Sequence, residues 1–258
     1  MHHKSIGFIG GGRITRIFIE GLQKSGKLPT NVVVCDPNQD VLQRLKVKFP
    51  DIQTSQNNVE AAGKDIVFLA VHPPMIAGAC EQIKGAVSAS ALLISLAPKF
   101  TIKKLGELLN GFSRIVRVIP NAPSIIGAGF NPVCFSQSMT DADKSEVKSL
   151  LEPLGECPEV NEEKLEAYAI LSAMGPTYLW FQLQALREVV SGFGLTDEEI
   201  SVAMKRMVCG STRTLLESGL SPAEVMDLIP VKPLAEMETQ VTEQYKTKLP
   251  AIYQKIKP

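Results

Sequence analysis

The stretch Ile6-Gly7-Phe8-Ile9-Gly10-Gly11-Gly12-Arg13-Ile14-Thr15 decides the fold. A short apolar run meets three glycines and then an amphipathic segment that continues to about Lys24 and stops near Gly26. That is a strand entering a tight turn and then a helix. Gly10 permits the turn, and Gly12 lets the backbone approach a ligand closely. The helix N-terminus beyond offers unpaired N–H groups and a partial positive charge to an anion. Glycine in a tight turn is weak evidence by itself, since any strand-to-helix turn uses it. Here the turn follows the first strand and opens a strand–helix–strand unit whose second strand ends at Asp36. That context predicts a dinucleotide with its pyrophosphate over Gly10, Gly11, Gly12, Arg13, Ile14 and Thr15. Asp36 stands near where a carboxylate accepts hydrogen bonds from an adenosine ribose, although Asp36-Pro37-Asn38 is also good turn chemistry in its own right.

Outward from this unit, short apolar runs rich in β-branched residues recur at residues 5–9, 32–35, 66–71, 92–96, 115–118 and 133–135. Several are apolar throughout, as strands covered on both faces are, and amphipathic segments separate them. After Met139 the pattern changes. Thr140-Asp141-Ala142-Asp143 reads as a helix N-cap with acids in the first turn, and helices are predicted over residues 143–154, 162–171, 176–192, 196–217, 221–228 and 234–256, with no strand among them. The fold class is α/β: an N-terminal Rossmann domain with a mainly parallel sheet over residues 1–157, then an all-α substrate and dimerisation domain over 158–258. The helix over 176–192 is apolar almost all round, with Leu179, Leu183, Leu186 and Val190 on one side and Phe181, Ala185 and Val189 on another. A small helical domain has difficulty covering such a helix, so at least a homodimer is expected; the alternative is a monomer in which the helix packs wholly between its neighbours.

Composition narrows the partners. The chain has 258 residues, with 27 basic and 27 acidic side chains. No global positive field exists to hold a nucleic acid or an anionic membrane, which leaves small molecules and other subunits. The five cysteines are scattered, without a C-x-x-C pair or a neighbouring histidine cluster, so neither a disulfide framework nor a metal site is expected. His2 and His3 are expected to be solvated and idle. Residues 167–186 carry no charge, yet Ser172, Thr177, Gln182, Gln184 and the break at Gly175-Pro176 argue for a buried helix pair and against a membrane span. The start of the chain lacks an apolar signal segment, and a cytoplasmic protein is expected.

Four stretches in order carry a family resemblance over most of the chain. They are residues 6–15; Leu69-Ala70-Val71-His72-Pro73; Arg117-Val118-Ile119-Pro120-Asn121-Ala122-Pro123 with Gly127 and Gly129; and Leu171-Ser172-Ala173-Met174-Gly175-Pro176-Thr177-Tyr178. The chain resembles the pyrroline-5-carboxylate reductases, and the R-x-x-P-N-x-P-x-x-x-G-x-G run is the most specific element. The resemblance implies reduction of the cyclic imine of proline biosynthesis with NAD(P)H, and a helical domain that interlocks two subunits. It implies that Asn58 contacts the adenosine side of the cofactor and that Ala70, Val71, His72 and Pro73 border its ribose and nicotinamide. Asn121 and Pro123 then lie beside the nicotinamide, while Ser172, Gly175, Pro176 and Thr177 approach the substrate.

The departures from the family cluster where chemistry is expected. His72 stands in place of lysine, Pro98-Lys99 in place of alanine-glycine, and Gln184 in place of glutamate. The family's Ser-Pro-Gly-Gly-Thr-Thr loop, which supplies donors to the substrate carboxylate, reads here Val231-Lys232-Pro233-Leu234-Ala235-Glu236. Pro230 and Pro233 offer no N–H. Lys232 is the candidate replacement, although a loop lysine is usually solvated. His72, with no carboxylate near it in sequence, reads as a polar contact more readily than as an acid. Two other readings stay open: a reductase of the same architecture acting on another imine or carbonyl compound, and a non-catalytic nucleotide-binding regulator.

Overall fold

The computed structural model describes residues 4–258; His2 and His3 lie outside the described residues. In chain order the sheet-bearing part comprises β1 (Ile6–Ile9), α1 (Arg13–Lys24), β2 (Val32–Cys35), α2 (Gln39–Lys48), β3 (Gln53–Ser55), α3 (Asn58–Ala62), β4 (Ile66–Leu69), α4 (Ile76–Ile83), β5 (Leu92–Ser95), α5 (Ile102–Leu108), β6 (Ile115–Val118), β7 (Gly129–Phe130), β8 (Val133–Phe135), α6 (Asp141–Leu151), β9 (Gly155–Glu156) and α7 (Leu165–Tyr168). The remaining helices are α8 (Gly175–Ser191), α9 (Asp197–Glu217), α10 (Pro222–Asp227) and α11 (Ala235–Ile256).

The main sheet runs β3-β2-β1-β4-β5-β6-β8, parallel except for β8, which returns antiparallel to β6. The apolar strands are apolar because both faces are covered. Along β2, Val32 and Val34 enter one core with Phe18, Leu22 and Leu151, while Val33 and Cys35 enter the other with Ala61, Ile76 and Leu105. Phe8 stacks on Phe68 with ring centroids 4.6 Å apart, and Phe18 meets Phe68 edge-on. Gly7 breaks the apolar run for a packing reason: a Cβ there would sit 2.0 Å from the Ala61 carbonyl oxygen, so α3 rests directly on the β1 backbone.

Three strands, β3, β7 and β9, lie outside those expected. Gln53–Ser55 is a strand that the periodicity misses, because it is short, polar and at the sheet edge. Gly155–Glu156 is a strand within the region expected to be helical, and it pairs with Gly129–Phe130. The helix expected over 143–154 begins earlier, at Asp141, with Thr140 and Asp143 forming a capping box, and its last residues tighten into a 3-10 turn. The segment expected as one helix over 162–171 is a 3-10 turn, the single turn α7 and a π-turn, Ala169–Ala173.

The chain divides into two compact units. One holds the described residues up to Met174 together with Ile252–Pro258, and the other is Gly175–Ala251. The expected boundary near Cys157-Pro158 lies inside the first unit. There the Val133 N–H donates to the Pro158 carbonyl and the Val160 N–H to the Val133 carbonyl, while Leu165 and Ala169 are buried with Ile119. In the second unit α8 has no buried residue: Leu179, Phe181 and Val189 are 48%, 69% and 56% exposed. Within the second unit α8 is therefore not covered by its own neighbours, contrary to the buried helix expected there. No helix among the described residues is long and apolar enough to cross a membrane.

Candidate active site

Strand register brings the site residues to one rim. Ile9, Leu69, Ser95 and Arg117 lie level across β1, β4, β5 and β6, so the residues that follow them emerge together at the C-terminal edge of the sheet. These are Gly10 to Arg13, Ala70 to Pro73, Pro98-Lys99, and Pro120-Asn121. The strand order reverses between the parallel neighbours β1 and β4, and such a switch point is where open α/β sheets bind ligands.

The glycine turn is shaped by its neighbours. Gly10 has φ +102°, and a Cβ on it would lie 2.6 Å from the Ala70 carbonyl oxygen, so both conformation and space require glycine. A Cβ on Gly12 would meet nothing within 4 Å. That open side, at the N-cap of a twelve-residue helix without a side-chain cap, leaves a cradle for a pyrophosphate above the first turn of α1. Thr15, which stands where a third small residue is expected, is fully buried and donates its hydroxyl to the Gly10 carbonyl at 2.6 Å. The residues fit the phosphate group.

Asp36 fills the turn role and is tied to the glycine turn. Its Oδ1 accepts the Asn38 N–H at 2.9 Å, the turn role, and its Oδ2 accepts the Gly11 N–H at 2.8 Å, which fixes the carboxylate beside the glycine turn. Asn58 opens α3 and donates to Gln82 at 2.7 Å, tying α3 to α4; the neighbouring Asn57 caps the helix. His72 is exposed, and Ala70, Val71 and Pro73 are half-buried around it.

On the opposite side of the rim Asn121 is a buried junction. Its N–H donates to Asn131 Oδ1, its Oδ1 accepts the Phe130 N–H, and its Nδ2 reaches the Ser172 carbonyl at 3.4 Å. Pro123 is half-buried in the 3-10 turn Ala122–Ile126 that follows it. The structure thus brings Ser172 to Asn121; the Ser172 hydroxyl donates to the Tyr168 carbonyl within the π-turn. Thr177 and Lys232 belong to the second unit, where both are exposed.

The arginine of the R-x-x-P-N run is buried in an ion-pair cluster. Arg117 is buried and pairs with Glu166 at 2.5 Å and Glu162 at 3.0 Å. Glu166 Oε1 also accepts the Lys99 N–H at 3.1 Å, and Glu162 Oε1 the Ile102 N–H at 2.7 Å. The two glutamates carry no local signal that assigns them to Arg117, whereas a lone glycine inside a strand is the kind of signal that could have disclosed the close approach at Gly7. Cys35, Cys80 and Cys157 have thiols pushed up to about 11 by burial, which removes thiolate chemistry at neutral pH. No group of three or more His, Cys, Asp or Glu among the described residues is placed to hold a metal ion.

A mainly parallel sheet with a glycine turn shaped for pyrophosphate at its switch point defines the class of NAD(P)H-dependent oxidoreductases. Residues 5–99 match the family described as NADP oxidoreductase coenzyme F420-dependent. The pyrroline-5-carboxylate reductase of Haemophilus influenzae is 30% identical over 220 residues, 84% of this chain and 80% of that protein. The chain belongs to the pyrroline-5-carboxylate reductase family. The corresponding structure from Coxiella burnetii, 30% identical, superposes with a TM-score of 0.69 and covers 99% of this chain and 95% of that one. Plasmodium falciparum pyrroline carboxylate reductase with NADP bound, 23% identical, shares the fold with a TM-score of 0.73, covering 99% of this chain and 95% of its own.

Proposed function

We propose that this chain reduces pyrroline-5-carboxylate with NAD(P)H in the cytoplasm, as a homodimer or larger homo-oligomer. The observation that carries the reading is the shared rim, on which the glycine turn, His72 and the Asn121 junction follow the parallel strands β1, β4 and β6. The dinucleotide, when bound, supplies the hydride. The chain's own part is placement, because a protonated imine is already electrophilic and gains most from orientation. Gly10, Gly11, Gly12, Arg13 and Ile14 hold the pyrophosphate, Asp36 the ribose hydroxyls and Asn58 the adenosine side. Ala70, Val71, His72 and Pro73 form one wall of the nicotinamide pocket, and Asn121 and Pro123 the other. Ser172, Thr177 and Lys232 orient the imine and its carboxylate.

In this reading residues 1–157 bind the dinucleotide and residues 158–258 complete the substrate site and join subunits. The exposed apolar surface of α8 supports the joining. Asp36 supports NADH over NADPH, because its fixed carboxylate repels a 2′-phosphate. The loop over 231–236, where hydroxyl donors are replaced and Lys232 is exposed, supports a second reading in which another imine or a carbonyl compound is the substrate. A turnover screen of cyclic imines and keto acids with both NADH and NADPH tests both readings. Oxidation of cofactor with pyrroline-5-carboxylate as the best substrate sustains the first, a different best substrate sustains the second, and no turnover with any compound overturns both.

A further inference from the structure

Lys99 has φ +78°, one of two non-glycine residues with positive φ among the described residues; the other is Asn110, a residue type that tolerates this conformation. Here the unusual backbone is enforced from below. The Lys99 N–H donates to Glu166 Oε1, and Glu166 is itself buried and held by Arg117. A strained residue whose surroundings over-determine it, standing on the rim where ligands bind, points to use of its side chain. The side chain is exposed, and its ammonium forms no ion pair or hydrogen bond among the described residues.

Its place on the sheet selects the ligand group. Lys99 leaves β5, two strands from the glycine turn on β1, which is about 10 Å across the sheet. The pyrophosphate over Gly12 is therefore served by α1, and the anion within reach of β5 belongs to the substrate side of the rim, between His72 and Asn121. We propose that Lys99 binds the carboxylate of the substrate imine, a role that the donor-poor loop over 231–236 otherwise leaves to Lys232 alone. This rests on the reading of the chain as a reductase of a carboxylate-bearing imine. It also accounts for a lysine where a glycine suits the backbone: the charge is retained at the expense of strain.

Steady-state kinetics of the intact protein, Lys99→Gly and Lys99→Arg test this, with pyrroline-5-carboxylate and with 1-pyrroline, which lacks the carboxylate. Calorimetric binding of L-proline to the NAD+ complex gives a readout independent of turnover. Lys99→Gly is expected to raise KM for pyrroline-5-carboxylate and Kd for L-proline at least tenfold, while KM for 1-pyrroline and for the cofactor stays within twofold. Lys99→Arg is expected to remain close to the parent in all four. An active Lys99→Gly enzyme with unchanged KM and Kd overturns the assignment, as does an equal loss with 1-pyrroline. If the parent protein neither reduces pyrroline-5-carboxylate nor binds L-proline, the proposed function falls and the assignment with it.

Discussion

Arg117 on β6 and Glu166 on α7 are 0% and 2% exposed and pair at 2.5 Å, far apart in sequence and sealed from water. Removing Glu166 leaves the buried Arg117 with only the partly exposed Glu162, so Glu166→Ala is expected to cost about 3 kcal/mol, the lower end for breaking a buried pair. Urea unfolding at neutral pH measures this. A loss below about 1 kcal/mol, typical of an exposed pair, would show that water reaches the site.

Two glycines in one motif are expected to fail in opposite ways. Gly7→Ala places a Cβ against the Ala61 carbonyl and should destabilise by about 3 kcal/mol or more, because backbone on both sides cannot yield. Gly12→Val meets open space, so the thermal midpoint should stay near the parent value while NADH binding is lost. Fluorescence titration of Gly12→Val showing parent affinity would move the pyrophosphate elsewhere.

Acid stability should depend on Asp65. Its Oδ2 accepts the Ser5 N–H at 2.7 Å and the Ser5 hydroxyl at 2.6 Å, joining the residues that precede β4 and β1. The Ser5 hydroxyl and N–H together hold the Asp65 carboxyl below its ordinary range. A folded-state pKa that is lowered contributes stability complete above the unfolded value of about 3.9 and lost as pH falls through the folded value. Asp65→Asn should therefore be less stable near pH 7 and should lose less stability on acidification below about pH 4. Parallel stability curves for the two proteins would exclude this role.

Self-association is expected to pass through α8. Light scattering should give a mass above that of the 28.0 kDa chain, and Phe181→Glu should lower it without changing helix content. A single species at the chain mass in the parent protein would remove the interface.

Cofactor choice should follow Asp36. Paired assays are expected to give a higher kcat/KM with NADH, and Asp36→Ser should narrow the difference by relieving repulsion of the 2′-phosphate. A parent preference for NADPH counts against the proposed ribose contact.

What the sequence disclosed was local or periodic. The both-face apolar runs of β1, β2, β4, β5 and β6, the glycine turn and the Thr140 cap are decided by neighbours a few residues away, and they were legible. β3 was not, since three polar residues at a sheet edge bury too little to leave a pattern. The partners of Arg117 were hidden for another reason: Glu162 and Glu166 sit on a segment that reads as a solvated helix face until the chain folds back across 45 and 49 residues. The left-handed backbone of Lys99 has no residue signature at all, because it is imposed by Glu166.

Ile200 is the one fully buried side chain of Gly175–Ala251 among the described residues. A segment with so little interior cannot melt as a self-sufficient body; its order must be borrowed from whatever dries its surface. If that is a second copy, dilution alone becomes a denaturant for the helices while the doubly covered sheet is indifferent to it. The two parts of one polypeptide would then answer to different variables, the first to temperature and the second to its own abundance.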